Sequence, residues 1–380
     1  GRLVALVVPE IDRDLGMTVY ATKTAGIRGV IRREVEDFVV EEMLVDGSVA
    51  PVCGSDGDVG RSVLGSSSSK KRFLLCVLVK RSWDTFSAVM RVARGFGVSS
   101  SRVEFAGIKD ARAVTAQFVT VEGVSAEDVS RLDVKDIELR PVGYVRCGLS
   151  AFYLLGNRFR VVVRDVGFSG ATVRRRFGKV VDEIGVLGGV PNFFGHQRFG
   201  TVRPVTHLVG RAIVRGCFEE AVMLFLAEAS VHEHPVSRRV RLELSETRDF
   251  VRALEVFPRQ LRFERLILRG LVERPGDFVG ALRRLPLRLR VLFVEGYASF
   301  LFNRFLSGRV KAGFSLGVAE VGDFVVGVDR CGVSVPGVWR VVSLENRADV
   351  NRGLAAGRLR LAVPLVGFGQ RLSVGVQGDV

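Results

Sequence analysis

The pattern of apolar and polar positions changes character along the chain. Phe73 to Lys80 is an apolar run closed by a single lysine, the signature of a strand buried on both faces. Val103–Phe105, Val114–Val121, Asp136–Arg146 and Tyr153–Asp165 read as further strands, the last two separated by Gly148. Residues 18–46 read as extended up to Phe38-Val39-Val40-Glu41-Glu42 and a turn at Asp46-Gly47. Ser82 or Asp84 is placed to cap a helix with an apolar face of Phe86, Val89, Met90 and Ala93, stopped by Gly95 and Gly97. Ser125 and Asp128 cap a shorter one. Strands with interspersed helices, but no regular βαβ alternation, predict an α+β fold over the first 165 residues.

Near Pro191 the period becomes helical and stays so from 204 to 310, with Val222, Leu226 and Ala229 on one face. Arg259–Gly270 and Arg288–Arg309 continue it, the latter with Val291, Leu292, Val294, Ala298, Leu301 and Phe305 as its apolar side. Val-rich strands return at 323–328 and 338–343. A chain of 380 residues with this change of period suggests two domains.

Composition narrows the partners. No stretch is long and apolar enough to span a membrane, and no secretory signal is visible at the N-terminus. Cys53, Cys76, Cys147, Cys217 and Cys331 stand far apart with no CxxC pair, which argues for a reducing, cytoplasmic setting. Net charge is +15, and only eight of the 56 basic residues are lysine. Arginine suits phosphates and bases, but a GC-rich genome also inflates it, so composition leaves both explanations open. Residues 189–363 hold +10 of the +15, as an added nucleic-acid-gripping module would.

Three segments carry candidate chemistry. Gly65-Ser66-Ser67-Ser68-Ser69-Lys70-Lys71 imitates a phosphate-binding loop, but it lacks the second glycine and precedes a strand, so it reads as a surface loop. His196, His207, His232 and His234 fall close together with Cys217, yet no tight ligand spacing completes a metal site, and none is expected. The third is Phe105 to Gln117, where Asp110 sits in a glycine-supported loop between two strands, flanked by Lys109 and Arg112. Neighbouring cations favour an ionised carboxylate, as a nucleophile or general base requires, and a Lys-Asp pair that merely closes a turn fits equally well.

Gly107-Ile108-Lys109-Asp110, with Ala113-Val114-Thr115 and Gln117, resembles the signature of the TruD family of pseudouridine synthases. Three further blocks match in the same order: Val35-Glu36-Asp37-Phe38-Val39-Val40-Glu41-Glu42, with Val35 where the family has proline; Gly156-Asn157-Arg158-Phe159; and Val190 to Gly200. Thr22 to Ile27 is closest to archaeal members. The resemblance implies a tRNA pseudouridine(13) synthase, an isomerase converting uridine to pseudouridine in transfer RNA without cofactor or metal. It places Asp110 as the catalytic aspartate. Phe159 becomes the ring that stacks on uracil, Phe38 a neighbour of the nucleotide, Asn157 a substrate contact, and Arg32 the basic partner of the aspartate.

It also implies a catalytic domain built on a mainly antiparallel mixed sheet, interrupted by a largely α-helical TRUD domain. The expected boundaries are 1–189, 190–362 for the insertion, and 363–380 for the return, where the last catalytic strands look truncated. An RNA-binding protein or inactive fragment on the same scaffold is the alternative. Oligomeric state is not readable.

Overall fold

The computed structural model describes residues 7–54, 63–329, 332–363 and 365–367. The chain forms two compact units: residues 26–173, and a second that joins the first 25 residues to the chain from Arg174 on.

The first unit holds β1 (Val30–Ile31), β2 (Phe38–Leu44), β3 (Phe73–Arg81), β4 (Val103–Phe105), β5 (Val114–Glu122), β6 (Ile137–Val145), β7 (Leu154–Val161) and β8 (Val163–Arg164). Six of these make one sheet in the order β6-β3-β5-β2-β7, with β4 on the far half of β5. Every pairing in it is antiparallel except that of β2 with β5. The mixed α+β architecture expected from the sequence is the one that forms.

The apolar run of β3 has its reason in two-sided burial. Leu74, Cys76 and Leu78 pack beneath the helix Thr85–Gly95, while Leu75, Val77 and Val79 pack with Phe118 and Leu149 on the other face. A strand covered on one face only would alternate. The covering helix is capped by Asp84, whose carboxylate accepts from the Ser87 amide at 2.9 Å. Its buried residues are Thr85, Ala88, Val89, Val92 and Ala93, whereas Phe86 and Met90 are 56% and 55% exposed. The face is thus turned from the one expected, because small side chains let the helix lie closer to the sheet than Phe and Met would. The stretch from Tyr153 to Asp165 also divides: β7 ends at Val161, and β8 leaves the sheet to pair with β1.

The second unit contains the helices Thr206–Val214, Phe218–Ala227, Pro235–Thr247, Phe250–Val256, Arg262–Glu273, Phe278–Arg283 and Leu287–Lys311, around a core that includes Val209, Leu226, Leu244 and Ile267. Helix Gly170–Leu187 was missed, although Val173, Phe177, Val180, Val181, Ile184 and Leu187 recur at helical spacing; none of its residues is fully buried. Gly210 permits the closest helix contact: a Cβ there would lie 1.9 Å from the Phe293 carbonyl.

The longest helix departs most from its pattern. Val291, Leu292 and Val294 are exposed, and the buried side includes Phe293, Gly296, Ser299, Asn303 and Ser307. Those polar residues face chain that has no regular structure to satisfy its own backbone. Asn303 donates to the carbonyls of Leu15 and Phe194 and accepts from the Phe194 amide, all at 2.9–3.0 Å. Ser307 donates to the Gly16 carbonyl at 2.7 Å and accepts from the Thr18 amide at 3.0 Å. These bonds are why the N-terminal segment belongs to this unit. The helix ends on a buried ion pair, Arg309 with Asp323, at 2.7 and 2.9 Å.

Beyond it, β9 (Phe324–Val328), β10 (Ser334–Val341) and β11 (Leu359–Ala362) form an antiparallel sheet in the order β10-β9-β11. Helix Arg347–Ala355 contributes Val350 and Leu354 to a small core with Val325 and Val342. The composition change near Pro191 lies within this unit, and most of the expected return segment 363–380 lies outside the described residues.

Replacing Asn303 by Leu keeps the branched outline of the side chain and orphans two carbonyls and an amide. Stability should fall by about 2–4 kcal/mol, read as a lower denaturation midpoint with unchanged helix content in far-UV circular dichroism.

Candidate active site

Residues 106–113 connect β4 to β5 and carry Asp110 to the start of β5, beside the start of β2. Four interactions fix this loop from behind. The Gln117 amide donates to the Gly107 carbonyl at 2.9 Å. Thr85 Oγ1 accepts from the Lys109 amide at 2.9 Å. Lys80 Nζ donates to the carbonyls of Asp110 at 2.9 Å and Trp83 at 2.6 Å. The Lys109 side chain turns inward and pairs with Glu42 at 2.6 Å, both side chains at most 1% exposed. The other Glu42 oxygen accepts from the Phe118 amide at 2.8 Å.

This arrangement reassigns the charges expected around Asp110. Lys109 follows the opposite direction from its neighbour, and Arg112 stands exposed at the surface. The cation that reaches Asp110 is Arg32, whose guanidinium lies 3.2 Å from Oδ1 with both side chains about one-third exposed (35% and 38%). Arg32 also stacks on Phe38, Cζ 3.7 Å from the ring centroid. Its backbone is held at φ 57°, a left-handed conformation unusual for arginine and costing on the order of 1 kcal/mol. The neighbouring turn is tied down by Asp37, which accepts from the Glu34 amide and from Arg164, both at 2.8–2.9 Å. The Arg164 guanidinium beside Asp37 holds its carboxyl below the usual range, aided by the Glu34 amide.

Register brings the remaining residues to the same side. Opposite pairs Phe38–Val161, Val40–Phe159 and Glu42–Asn157 share one face of the β2–β7 ladder. Phe38 is buried with Val40 and Ala113, and Phe159 lies beside it at 5.8 Å between centroids and a 50° tilt, 54% exposed. Asn157 is exposed two residues from Phe159. A half-open aromatic shelf thus stands next to a carboxylate clamped by arginine, with an amide further along the shelf. All five expected residues, Arg32, Phe38, Asp110, Asn157 and Phe159, belong to this one unit.

The supporting residues were the ones missed. Glu42 and Gln117 stood in the quoted blocks without a role, and Lys80 read only as the end of a strand. Residue type gave no signal for them: of the eight lysines only Lys80 and Lys109 are buried, and the other six are exposed or partly exposed. Burial pushes the Lys80 ammonium down to about 8, against the pull of Asp84 and Asp110. Burial likewise pushes Glu42 up, opposed by Lys109.

The histidines separate rather than converge. His196 meets Asp12 at 2.6 Å, His234 caps the helix Pro235–Thr247, and His207 lies buried between Phe199 and Phe300. Among the described residues no group of three metal-ligating side chains comes together.

The sequence profile described as tRNA pseudouridine synthase D (TruD) matches residues 14–380. This chain belongs to the TruD family. Relatives named probable tRNA pseudouridine synthase D include that of Methanosarcina mazei, 36% identical over 98% of this chain and 81% of its own length. That of Thermococcus onnurineus is 37% identical over 94% of this chain and 80% of its own. A crystal structure of the Methanosarcina mazei protein matches with a TM-score of 0.88 at 36% identity, covering 98% of this chain and 81% of that one.

Two outcomes are expected. Glu42→Gln leaves the Lys109 ammonium buried without its counter-charge and should cost about 3–5 kcal/mol in chemical denaturation, whereas the double change to Glu42→Met, Lys109→Met should cost distinctly less. Between pH 8 and 10.5 folded Lys80 is neutral while the unfolded chain still binds its proton, so stability rises with pH across that window. The Lys80→Met variant, which loses the titration, should lack that rise in a pH series of melting temperatures.

Proposed function

We propose that this chain is a tRNA pseudouridine(13) synthase that isomerises uridine to pseudouridine within transfer RNA, with Asp110 as its catalytic carboxylate. The observation that carries the reading is the Arg32–Asp110 pair set beside the Phe38–Phe159 shelf in a TruD-family chain.

In this reaction the N1–C1′ glycosidic bond breaks, uracil turns in the pocket, and a C5–C1′ bond forms. The C5 proton is then lost and N1 gains one, so the reaction is redox-neutral and calls for no cofactor. Attack by Asp110 on C1′, attack on the base, or removal of a sugar proton each requires an ionised carboxylate at a fixed position. Arg32 orients that carboxylate and offsets its charge, and the Lys80-supported loop holds it still.

A uridine inside a folded RNA has to leave its stack first. The exposed face of Phe159 offers a replacement stack, and Asn157 an amide that both donates to and accepts from a uracil edge. In this reading residues 190–362 form the inserted TRUD domain and 363–380 return to the catalytic domain. Among the described residues no helix is long and apolar enough to cross a membrane, in keeping with a cytoplasmic, RNA-directed enzyme. The intact aspartate–arginine pair favours an enzyme over an inactive RNA-binding scaffold.

Tritium release from transfer RNA labelled at uracil C5 tests the reading. The parent should release tritium, Asp110→Ala should lower the rate at least about 100-fold while still binding RNA, and equal release from both would remove Asp110 from the chemistry.

A further inference from the structure

The β10-β9-β11 sheet is covered on one face only. Val325, Leu359 and Leu361 pack inward with Val342, Val350 and Leu354. Register then fixes what the opposite face carries. Trp339, Val326 and Arg360 form one row across the three strands, and Val341, Phe324 and Ala362 form the next. Arg358 extends the β11 side, its carbonyl accepting from Val328. Trp339 is 63% exposed and leans on Phe324 at 6.2 Å between ring centroids.

Among the described residues, arginines without a carboxylate partner stand on both faces of this small module: Arg340 in register with inward-facing Val325, and Arg358 and Arg360 on the open side. Arg347 pairs with Glu320 at 2.6 Å and Arg352 with Asp349, both on the helix side. Arg358 and Arg360, on the sheet side, are exposed and have no carboxylate partner among the described residues. Asp329, at the end of β9, receives the Val333 amide and serves the turn. The exposed face therefore offers a large flat aromatic surface bordered by two guanidinium groups without a carboxylate partner among the described residues, that of Arg360 donating to the Leu359 carbonyl at 3.1 Å.

We propose that this face is an RNA-stacking surface, on which Trp339 packs against an unpaired base while Arg358 and Arg360 take the flanking phosphates. An exposed tryptophan on a half-covered sheet gives a base the π-face it loses on unstacking. Guanidinium groups free of local carboxylates keep their charge available for phosphate. The positive excess over residues 189–363 calls for an anionic occupant, and the exposed Trp339 ring beside arginines favours RNA, which supplies a base face as well as phosphates, over an acidic protein. The proposal rests on reading RNA as the substrate, and adds a contact made by a different unit from the one that holds Asp110.

The chain has two tryptophans, so Trp83→Phe leaves Trp339 as the sole tryptophan. Titrating that variant with transfer RNA, and separately with a ten-nucleotide single-stranded RNA, should quench its emission as binding saturates. Trp339→Ala should weaken RNA binding and raise KM roughly tenfold with kcat nearly unchanged, and Trp339→Phe should restore most of the loss. Arg358→Ala and Arg360→Ala should each reduce the slope of log affinity against log salt by about one. Circular dichroism checks that the variants fold. Bound RNA with unaltered Trp339 emission, or an unchanged KM in Trp339→Ala, would overturn the proposal. Quenching by RNA without any tritium release would leave the stacking surface standing while the isomerase reading fails.

Discussion

The buried pair of Lys109 and Glu42 organises the first unit. Two adjacent residues, Lys109 and Asp110, are required to go opposite ways: one into a water-free interior, the other to the surface. The inward residue is held because Glu42, on β2, is itself committed to the Phe118 amide of β5. A charge taken out of water is tolerated only with such a partner, and the pair's geometry then dictates where the chain on either side of Lys109 runs. The carboxylate of Asp110 is displayed just before the start of β5 because the ammonium next to it is anchored.

The other supports act on backbone rather than on side chain. Gln117, Thr85 and Lys80 each satisfy a group that a tight loop between strands leaves unpaired. None touches the carboxylate of Asp110. Their effect is to remove conformational freedom from the loop before any substrate arrives, so less of the binding energy is consumed in ordering it. Arg32 is treated the same way from the other side: Asp37 and Arg164 tie the turn that follows it, and the ring of Phe38 sets the height of its guanidinium.

The second unit solves a different problem. A long helix with polar residues such as Asn303 on its inward side looks frustrated as a sequence. The same residue satisfies three backbone groups of irregular chain that would otherwise be orphaned in the interior. Arg309 with Asp323 repeats the device where the helix gives way to the small sheet.

By itself the sequence determined the class of the fold, the identity of most strands, the helical character of residues 204–310, and five residues that meet at the candidate site. Local periodicity and ordered motif blocks carry that information, because a buried strand such as β3 needs an apolar residue at every position whatever surrounds it. Tertiary structure alone decided which face of a helix turns inward, as at Phe86 and Asn303, since that depends on the shape and hydrogen-bonding needs of the neighbouring segment. It also decided which way the cation nearest to Asp110 in sequence turns, the resemblance having already named Arg32 as the partner of the aspartate. Lys109 is one residue away and Arg32 is 78, but only packing reveals that the nearer one is already bound inside to Glu42.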